Sequence, residues 1–222
     1  MTGSNSFWFA NPSTGFYPEE ISQSVRFDGD VSDTRFIYTP SGDGNKKTFT
    51  FSVWVKRSNF DSSNEMALLN VDKYPFAPVH HLYFNTDDTL RYYWGDGGSV
   101  GSESGAVYVD RQFRDVSSWY HIVLNYDTTQ STKTDRIRIY VNGTRQTLVA
   151  SYNGPHGDHY PTEDYVSSNV NINENGVPII FGALGNGGSY NRFFSGYMAE
   201  LNYIDGTNYD ASNFGETKEG VW

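Results

Sequence analysis

WYHIVLNYD at residues 119–127 and RIRIYVNG at residues 136–143 decide the fold. In the first run Tyr120, Ile122, Leu124 and Tyr126 share one side. In the second, Ile137, Ile139 and Val141 do the same, while Arg136, Arg138 and Tyr140 point away. A period of two with a single apolar side describes a strand half-buried against a second layer. Asn142-Gly143 accepts the positive φ angles of a type I′ turn, so a third strand is expected from Thr144. Outward from this hairpin, Phe49–Lys56 repeats the pattern, with Phe49, Phe51, Val53 and Val55 on one face and Thr50, Ser52, Trp54 and Lys56 on the other. Shorter strands are expected at Ser24–Gly29, Phe36–Thr39, Ala67–Val71, His81–Asn85, Leu90–Trp94, Val107–Asp110, Ile179–Gly182 and Gly196–Ile204. Asp87-Asp88 reads as a turn, Gly95–Gly105 as a Gly/Ser-rich loop and Ser151–Gly176 as a long polar loop, a length that usually carries function. No helix longer than about two turns is expected. The expected class is all-β, a sandwich of two antiparallel sheets.

The 222 residues suffice for one such sandwich with a real core. Aromatic residues make up 17 % and glycines number 22, which suits short strands joined by tight turns. Charged residues are 19 %, too few for a disordered polyelectrolyte. The net charge is −10, with no Lys/Arg cluster, so nucleic acid is not an expected partner. There is no cysteine, so the fold needs no oxidising compartment. The N-terminus lacks a basic segment followed by an apolar run, so no signal peptide is expected. No stretch approaches the ~20 apolar residues of a membrane span, so no membrane insertion is expected. The sequon Asn142-Gly143-Thr144 is better explained by the hairpin turn.

Two regions are expected: an irregular arm at residues 1–23 and a β-sandwich domain at residues 24–222. Phe7, Trp8, Phe9, Phe16 and Tyr17 stud the arm without periodicity. Such an arm packs either on its own domain or on a neighbouring subunit.

The order of SVRFDG (Ser24–Gly29), FTFSVWVKR (Phe49–Arg57), WYHIVLNYD, RIRIYVNG, and FG at Phe181–Gly182 with FSGYMAELNYID at Phe194–Asp205 resembles the laminin-G-like, concanavalin A-like jelly-roll superfamily. Ile204-Asp205-Gly206, Phe214-Gly215-Glu216-Thr217 and Gly220-Val221-Trp222 are similar to the ending of such domains in tailed-phage virion proteins, especially those of marine phages. The resemblance covers roughly residues 24–222. It implies two antiparallel sheets of about six or seven strands each, binding to glycans or proteins, often with calcium, and seldom catalysis.

Candidate sites fall into three groups. The superfamily also contains laminarinase-type hydrolases with a Glu-x-Asp-x-x-Glu strand, and Glu200-Leu-Asn-Tyr-Ile-Asp205 is a near miss. Alternation sets Glu200 and Asn202 on one face, where a retaining pair of carboxyls about 5 Å apart would stand. The central acid is Asn202 here, and Asp205 sits in an Asp-Gly turn. His156, Asp158 and His159 could ligate a metal, although their spacing matches no structural zinc site and a solvated loop is the plainer reading. His80-His81 is expected to split across its strand, and His121 to lie on the sheet surface. Asp28, Asp30, Asp33, Asp72, Asp87, Asp88 and Asp96 fall in turns and are the acids available for calcium, which the resemblance suggests and no spacing fixes. Glycan binding needs flat rings and hydrogen-bonding side chains. Tyr92-Tyr93-Trp94 with Asp96, Tyr152 with His156–Tyr160, and Tyr190-Asn191-Arg192 supply these near loops, with core or interface packing as the plainer reading. No Gly-x-Ser-x-Gly and no phosphate-cradling loop appears.

The expectation is a non-enzymatic virion protein, a tail-fibre or capsid-surface component that adheres to host glycans. It would be made in the host cytoplasm and displayed on the virion surface, as a homo-oligomer such as a trimer. The arm at Phe7–Tyr17 would bind another virion subunit, and no cofactor is required beyond optional calcium. The alternative is a purely structural capsid decoration or fibre spacer. A polysaccharide-cleaving hydrolase comes third.

Overall fold

The computed structural model describes residues 23–29, 34–73, 76–95, 104–152, 160–167 and 172–222. The arm residues Phe7, Trp8, Phe9, Phe16 and Tyr17 lie outside that set. The strands are β1 (Val25–Phe27), β2 (Phe36–Tyr38), β3 (Thr48–Arg57), β4 (Met66–Lys73), β5 (Phe76–Phe84), β6 (Thr89–Gly95), β7 (Ser104–Gln112), β8 (Tyr120–Asp127), β9 (Ile137–Val141), β10 (Thr144–Arg145), β11 (Leu148–Tyr152), β12 (Ile179–Phe181), β13 (Leu184–Asn186), β14 (Ser189–Asn191) and β15 (Gly196–Asp205). A six-stranded sheet runs β1-β15-β3-β8-β9-β10, and a seven-stranded sheet runs β11-β7-β6-β5-β4-β12-β2. Every pairing is antiparallel. Helix is confined, among the described residues, to two three-residue 3-10 turns, and none of it could cross a membrane.

Alternation builds the core. Phe51 pairs with Leu124, and Leu124 with Ile139, so three apolar side chains form one buried rung across β3, β8 and β9. Opposite them Leu82, Phe84, Leu90, Tyr92, Val107 and Val109 close the sandwich from the seven-stranded sheet. Each such fully buried side chain contributes roughly 1.5–3 kcal/mol relative to exposure. The turn at Asn142 (φ 47°) and Gly143 (φ 74°) forms as expected. The strand after it is shorter than expected. Only Thr144 and Arg145 pair with β9; the chain then crosses to the other sheet, where Leu148–Tyr152 pairs with β7. The hairpin β13–β14 was not expected from the sequence, and it packs over β4 and β5.

The outer face of the six-stranded sheet is polar, yet it is covered. Thr50, Ser52, His121 and Asn125 are buried beneath residues 207–222, which run across it as a strap. Thr50 Oγ1 donates to the Thr207 carbonyl (2.7 Å) and accepts from Tyr209 N–H (3.0 Å). Asn125 Nδ2 donates to the Tyr209 carbonyl, and Asn208 Nδ2 to Asp127 Oδ2 (2.9 Å). Trp222 ends the strap. Its indole N–H donates to His121 Nδ1 (2.9 Å) with the two rings nearly coplanar (17°), while Trp54 stacks on the His121 ring at 4.9 Å. His121 is therefore not the surface residue that its position on the strand suggests, because the strap desolvates its face. An indole can only donate, so Nδ1 of His121 is unprotonated, and its Nε2–H donates to Ser52 Oγ (2.9 Å). Gly143 is needed both for its positive φ and because a Cβ there would lie 2.1 Å from the Trp222 ring. His80 and His81 do split, as expected. His80 enters the core and bonds Tyr92 OH through Nδ1 (2.6 Å); His81 lies on the opposite face stacked on Tyr83 at 4.2 Å, yet it too is buried, at 1 % exposure.

Two predictions follow from this burial. Trp222→Ala removes a packed ring and a hydrogen bond and lowers unfolding free energy by about 2–3 kcal/mol, read from urea denaturation. Burial also holds His121 down at about 4, and His80 and His81 at about 3, below the ordinary 6.5. The folded chain keeps these rings neutral while the unfolded chain protonates them. Their contribution is full above about pH 6.5 and is lost progressively as pH falls towards 4, with a slope of up to about 1.4 kcal/mol per pH unit per ring. Urea midpoints at pH 7.5, 6 and 5 check this: a steady fall is expected, shallower in His121→Asn.

Candidate functional site

The strap covers β3 and β8 of one sheet, and on the other sheet the β13–β14 hairpin packs over β4 and β5, which leaves the outer face of β6 and β7 as the more open surface. Alternation on β6 turns Leu90, Tyr92 and Trp94 inward and Thr89, Arg91 and Tyr93 outward. On β7 it turns Val107 and Val109 inward and Tyr108 and Asp110 outward; on β5, Tyr83 faces out. The register aligns Tyr108 with Arg91 and Arg91 with Tyr83, giving a row of ring, guanidinium and ring across three strands. A second rung sets Tyr93 beside His81.

Arg91 holds the row together. Its Cζ lies 5.4 Å from the Tyr108 ring centroid, its Nε donates to Thr89 Oγ1 (3.1 Å), and its Nη2 pairs with Asp87. Burial opposes the Asp87 charge, but hydrogen bonds from Thr89, Asn85 and Arg91 outweigh that and hold its carboxyl below the usual range. Burial, reinforced by Glu65, pushes the Tyr83 phenol up to about 12, so it stays protonated and able to donate. A groove of about 500 Å³ opens beside the row, lined by Asp87, Arg91, Tyr108, Asp110, Arg111 and Gln112 among others. It presents a ring face beside guanidinium, carboxylate and amide groups, which suits a ligand with an apolar face and a hydroxyl-bearing rim.

The expected site residues distribute unevenly around this face. Tyr92 and Trp94, at 0 % and 2 % exposure, are core side chains and cannot stack on a surface ligand. Tyr92 meets His80, and Trp94 meets Tyr165 edge to face at 5.2 Å. The correction is one of parity: the strand position that reads as a surface cluster points inward with Leu90. Of its rings only Tyr93 points outward, and its outward neighbour Arg91 was missed, although the same alternation marks it. Asp96, His156, Asp158 and His159 lie outside the described residues, as does the Tyr152 side chain. The backbone still shows that Gly95, Ser104 and Tyr152 stand at one end of the seven-stranded sheet, since Gly95 pairs with Ser104 and Tyr152 with Ala106. The segments 96–103 and 153–159 are attached there. Tyr160 is half-buried against the core. On the hairpin, Tyr190 is half-buried and Asn191 exposed; the Tyr190 ring is capped by Arg35 at 3.7 Å, and Arg192 pairs with Glu65 beside the outer face. The charge of Arg192 acts on the Tyr83 phenol.

The near-miss acidic strand is irregular. A register shift between Ala199 and Asn202 marks a β-bulge, Glu200 sits at φ 49°, and Asn202 Nδ2 donates to the Glu200 carbonyl (2.8 Å). Asp205 Oδ1 accepts from Asn45 N–H (2.9 Å) and Asn173 Nδ2 (2.7 Å), so it closes a turn. Most of the turn aspartates are likewise engaged. Asp72 Oδ1 accepts from Gly187 N–H (2.8 Å), Asp87 holds Arg91, and Asp88 joins buried Arg57 (3.0 Å) to Arg114 (2.8 Å). Asp28 is 3.8 Å from Arg26. Asp30 and Asp33 lie outside the described residues. No group of three or more His, Asp or Glu side chains that could hold a metal occurs among the described residues.

Comparison with known proteins agrees with this architecture. No curated protein matches the chain. Among solved structures, the CBM40 module of the Ruminococcus gnavus IT-sialidase is similar at 11 % identity and TM-score 0.52, covering 86 % of this chain and 94 % of that one. Domain 4 of AbnA, a GH43 extracellular arabinanase from Geobacillus stearothermophilus solved in complex with arabinotriose, is similar at 14 % identity and TM-score 0.51, covering 86 % and 74 %. The enzymatically active domain of tailspike protein 2 of bacteriophage CBA120 is similar at 11 % identity and TM-score 0.52, covering 83 % of this chain and 25 % of that one. At such identities the likeness is one of fold. Residues 28–208 match the laminin-G-type family model described as the concanavalin A-like lectin/glucanases superfamily, and the chain belongs to that family.

Proposed function

We propose that the chain is a non-enzymatic glycan-binding domain of a virion surface or tail-fibre protein, adhering to the host surface through the outer face of its seven-stranded sheet. The observation that carries this reading is the outward pair Tyr108 and Arg91 lining the groove with Asp87 and Gln112. A sugar ring stacks on the half-buried Tyr108 face, while Arg91, Asp87 and Gln112 bond the hydroxyls; Tyr83, 9 % exposed and stacked on His81, flanks Arg91 from β5. The lectin-type fold, and likeness to a carbohydrate-binding module and to a structure bound to arabinotriose, support the ligand class. The Phe214–Thr217 and Gly220–Trp222 ending and the tailspike likeness support the virion setting. Single contacts of this kind are weak, so display in several copies supplies avidity. The row itself needs no metal; calcium at turn aspartates is an optional addition.

A glycan array run with calcium and again with chelator tests this. Binding is expected in both, with Tyr108→Ala and Arg91→Ala each weakening it about tenfold, or ~1.4 kcal/mol. Variants that bind like the parent chain contradict the assigned face. A structural role between virion subunits is the second reading, favoured by the exposed apolar edge of Val25, Phe36, Ile37 and Tyr38. Silence on the array from folded, multimerised protein selects it. Hydrolysis demands a rigidly held Glu200, whereas here it sits strained at a bulge. Glu200→Gly is accordingly expected to hold unfolding free energy within about 1 kcal/mol and leave glycan binding unchanged; loss of a polysaccharide-cleaving activity in that variant would show the contrary.

A further inference from the structure

One side of the sandwich is left open. There the six-stranded sheet ends in β1 and the seven-stranded sheet in β2, and Phe27 of β1 meets Phe36 of β2 edge to face at 5.4 Å. Among the described residues no strand pairs with the outer edge of either. Val25, Phe36, Ile37 and Tyr38 are 45 %, 45 %, 46 % and 51 % exposed, so consecutive large apolar side chains line an unpaired edge. Folded proteins guard such edges with charges, prolines or a covering segment, and Phe36–Tyr38 carries neither charge nor proline. An apolar edge of this kind is built for a partner.

The occupant is indicated by the chain itself. The arm leads directly into β1, and its Ser6-Phe7-Trp8-Phe9-Ala10 run is rich in strand-favouring aromatics. Fully extended, the chain between Phe9 and Gln23 reaches up to about 45 Å, enough to cross to an adjacent molecule. Among the described residues no segment covers this slot.

We propose that the arm of one copy, residues 7–17, docks on the β1–β2 edge of a second copy. It adds a strand beside β2, and its aromatic rings cover Val25, Phe36 and Tyr38. Backbone pairing supplies affinity and the rings supply fit, as in other strand-addition complexes. The exchange makes the free arm and the free edge mutually complementary, and it closes into a symmetric oligomer.

The chain has no cysteine, so paired thiols report the contact cleanly. Full-length Trp8→Cys and Ile37→Cys proteins are mixed and treated with a short bis-maleimide, while light scattering reads the mass. A Trp8→Cys/Ile37→Cys heterodimer band is expected, with an oligomer that becomes monomeric when residues 2–22 are deleted or when Ile37→Lys charges the edge. Circular dichroism confirms that both variants are folded. A monomeric parent chain, dominant Ile37→Cys homodimers, or cross-linking confined within a doubly substituted molecule would overturn the proposal. The last two results would point instead to edge-on-edge pairing and to self-docking.

Discussion

Burial of the β3–β8 pair on both faces is the constraint on which the rest of the structure depends. The inner face is apolar and joins the core through Phe51, Leu124 and Ile139. The outer face carries Thr50, Ser52, His121 and Asn125, groups that are costly to desolvate without partners. Residues 207–222 supply those partners, ending in the Trp222 indole on His121. Satisfying this face fixes the ring tautomer of His121 and requires glycine at position 143. It also covers the outer face of β3 and β8.

On the seven-stranded sheet the outer face of β6 and β7 stays the more open, since the β13–β14 hairpin packs over β4 and β5. There Arg91 joins Tyr108 to Asp87, and Tyr83 stays protonated beneath Glu65 and the two arginines. A rigid sheet presenting rings and guanidinium groups in register is preorganised, which limits the entropy lost when a flexible oligosaccharide settles on it. The hairpin β13–β14 borders this face where it packs over β4 and β5.

The core was legible because its signal is local. Phe49–Lys56 and Tyr120–Tyr126 alternate cleanly, and both strands form where expected. The covering of His121 was not legible, since nothing in Trp119–Asp127 says that a segment about 100 residues later lies across it. Parity on β6 was legible and was misapplied. Leu90, Tyr92 and Trp94 share a face, so grouping Tyr92 and Trp94 as surface rings broke the rule that had located the core. The bulge at Glu200 was hidden too, because alternation assumes unbroken register and the shift appears only in pairing with β3. The ending at Ile204–Trp222 was recognisable as a motif before its physical meaning was. In the structure Asp205 closes a turn, and Phe214 and Trp222 serve the strap.

The central claim is that ligand recognition belongs to the seven-stranded sheet and not to the strapped one. The most direct measurement is 19F NMR of the full chain labelled with fluorotyrosine, with resonances assigned by substitution, during titration with an oligosaccharide. The account predicts shifts at Tyr93 and Tyr108 while Tyr140 and Tyr197, on the six-stranded sheet, stay fixed. Shifts confined to Tyr140 and Tyr197, with Tyr93 and Tyr108 unmoved, would contradict it.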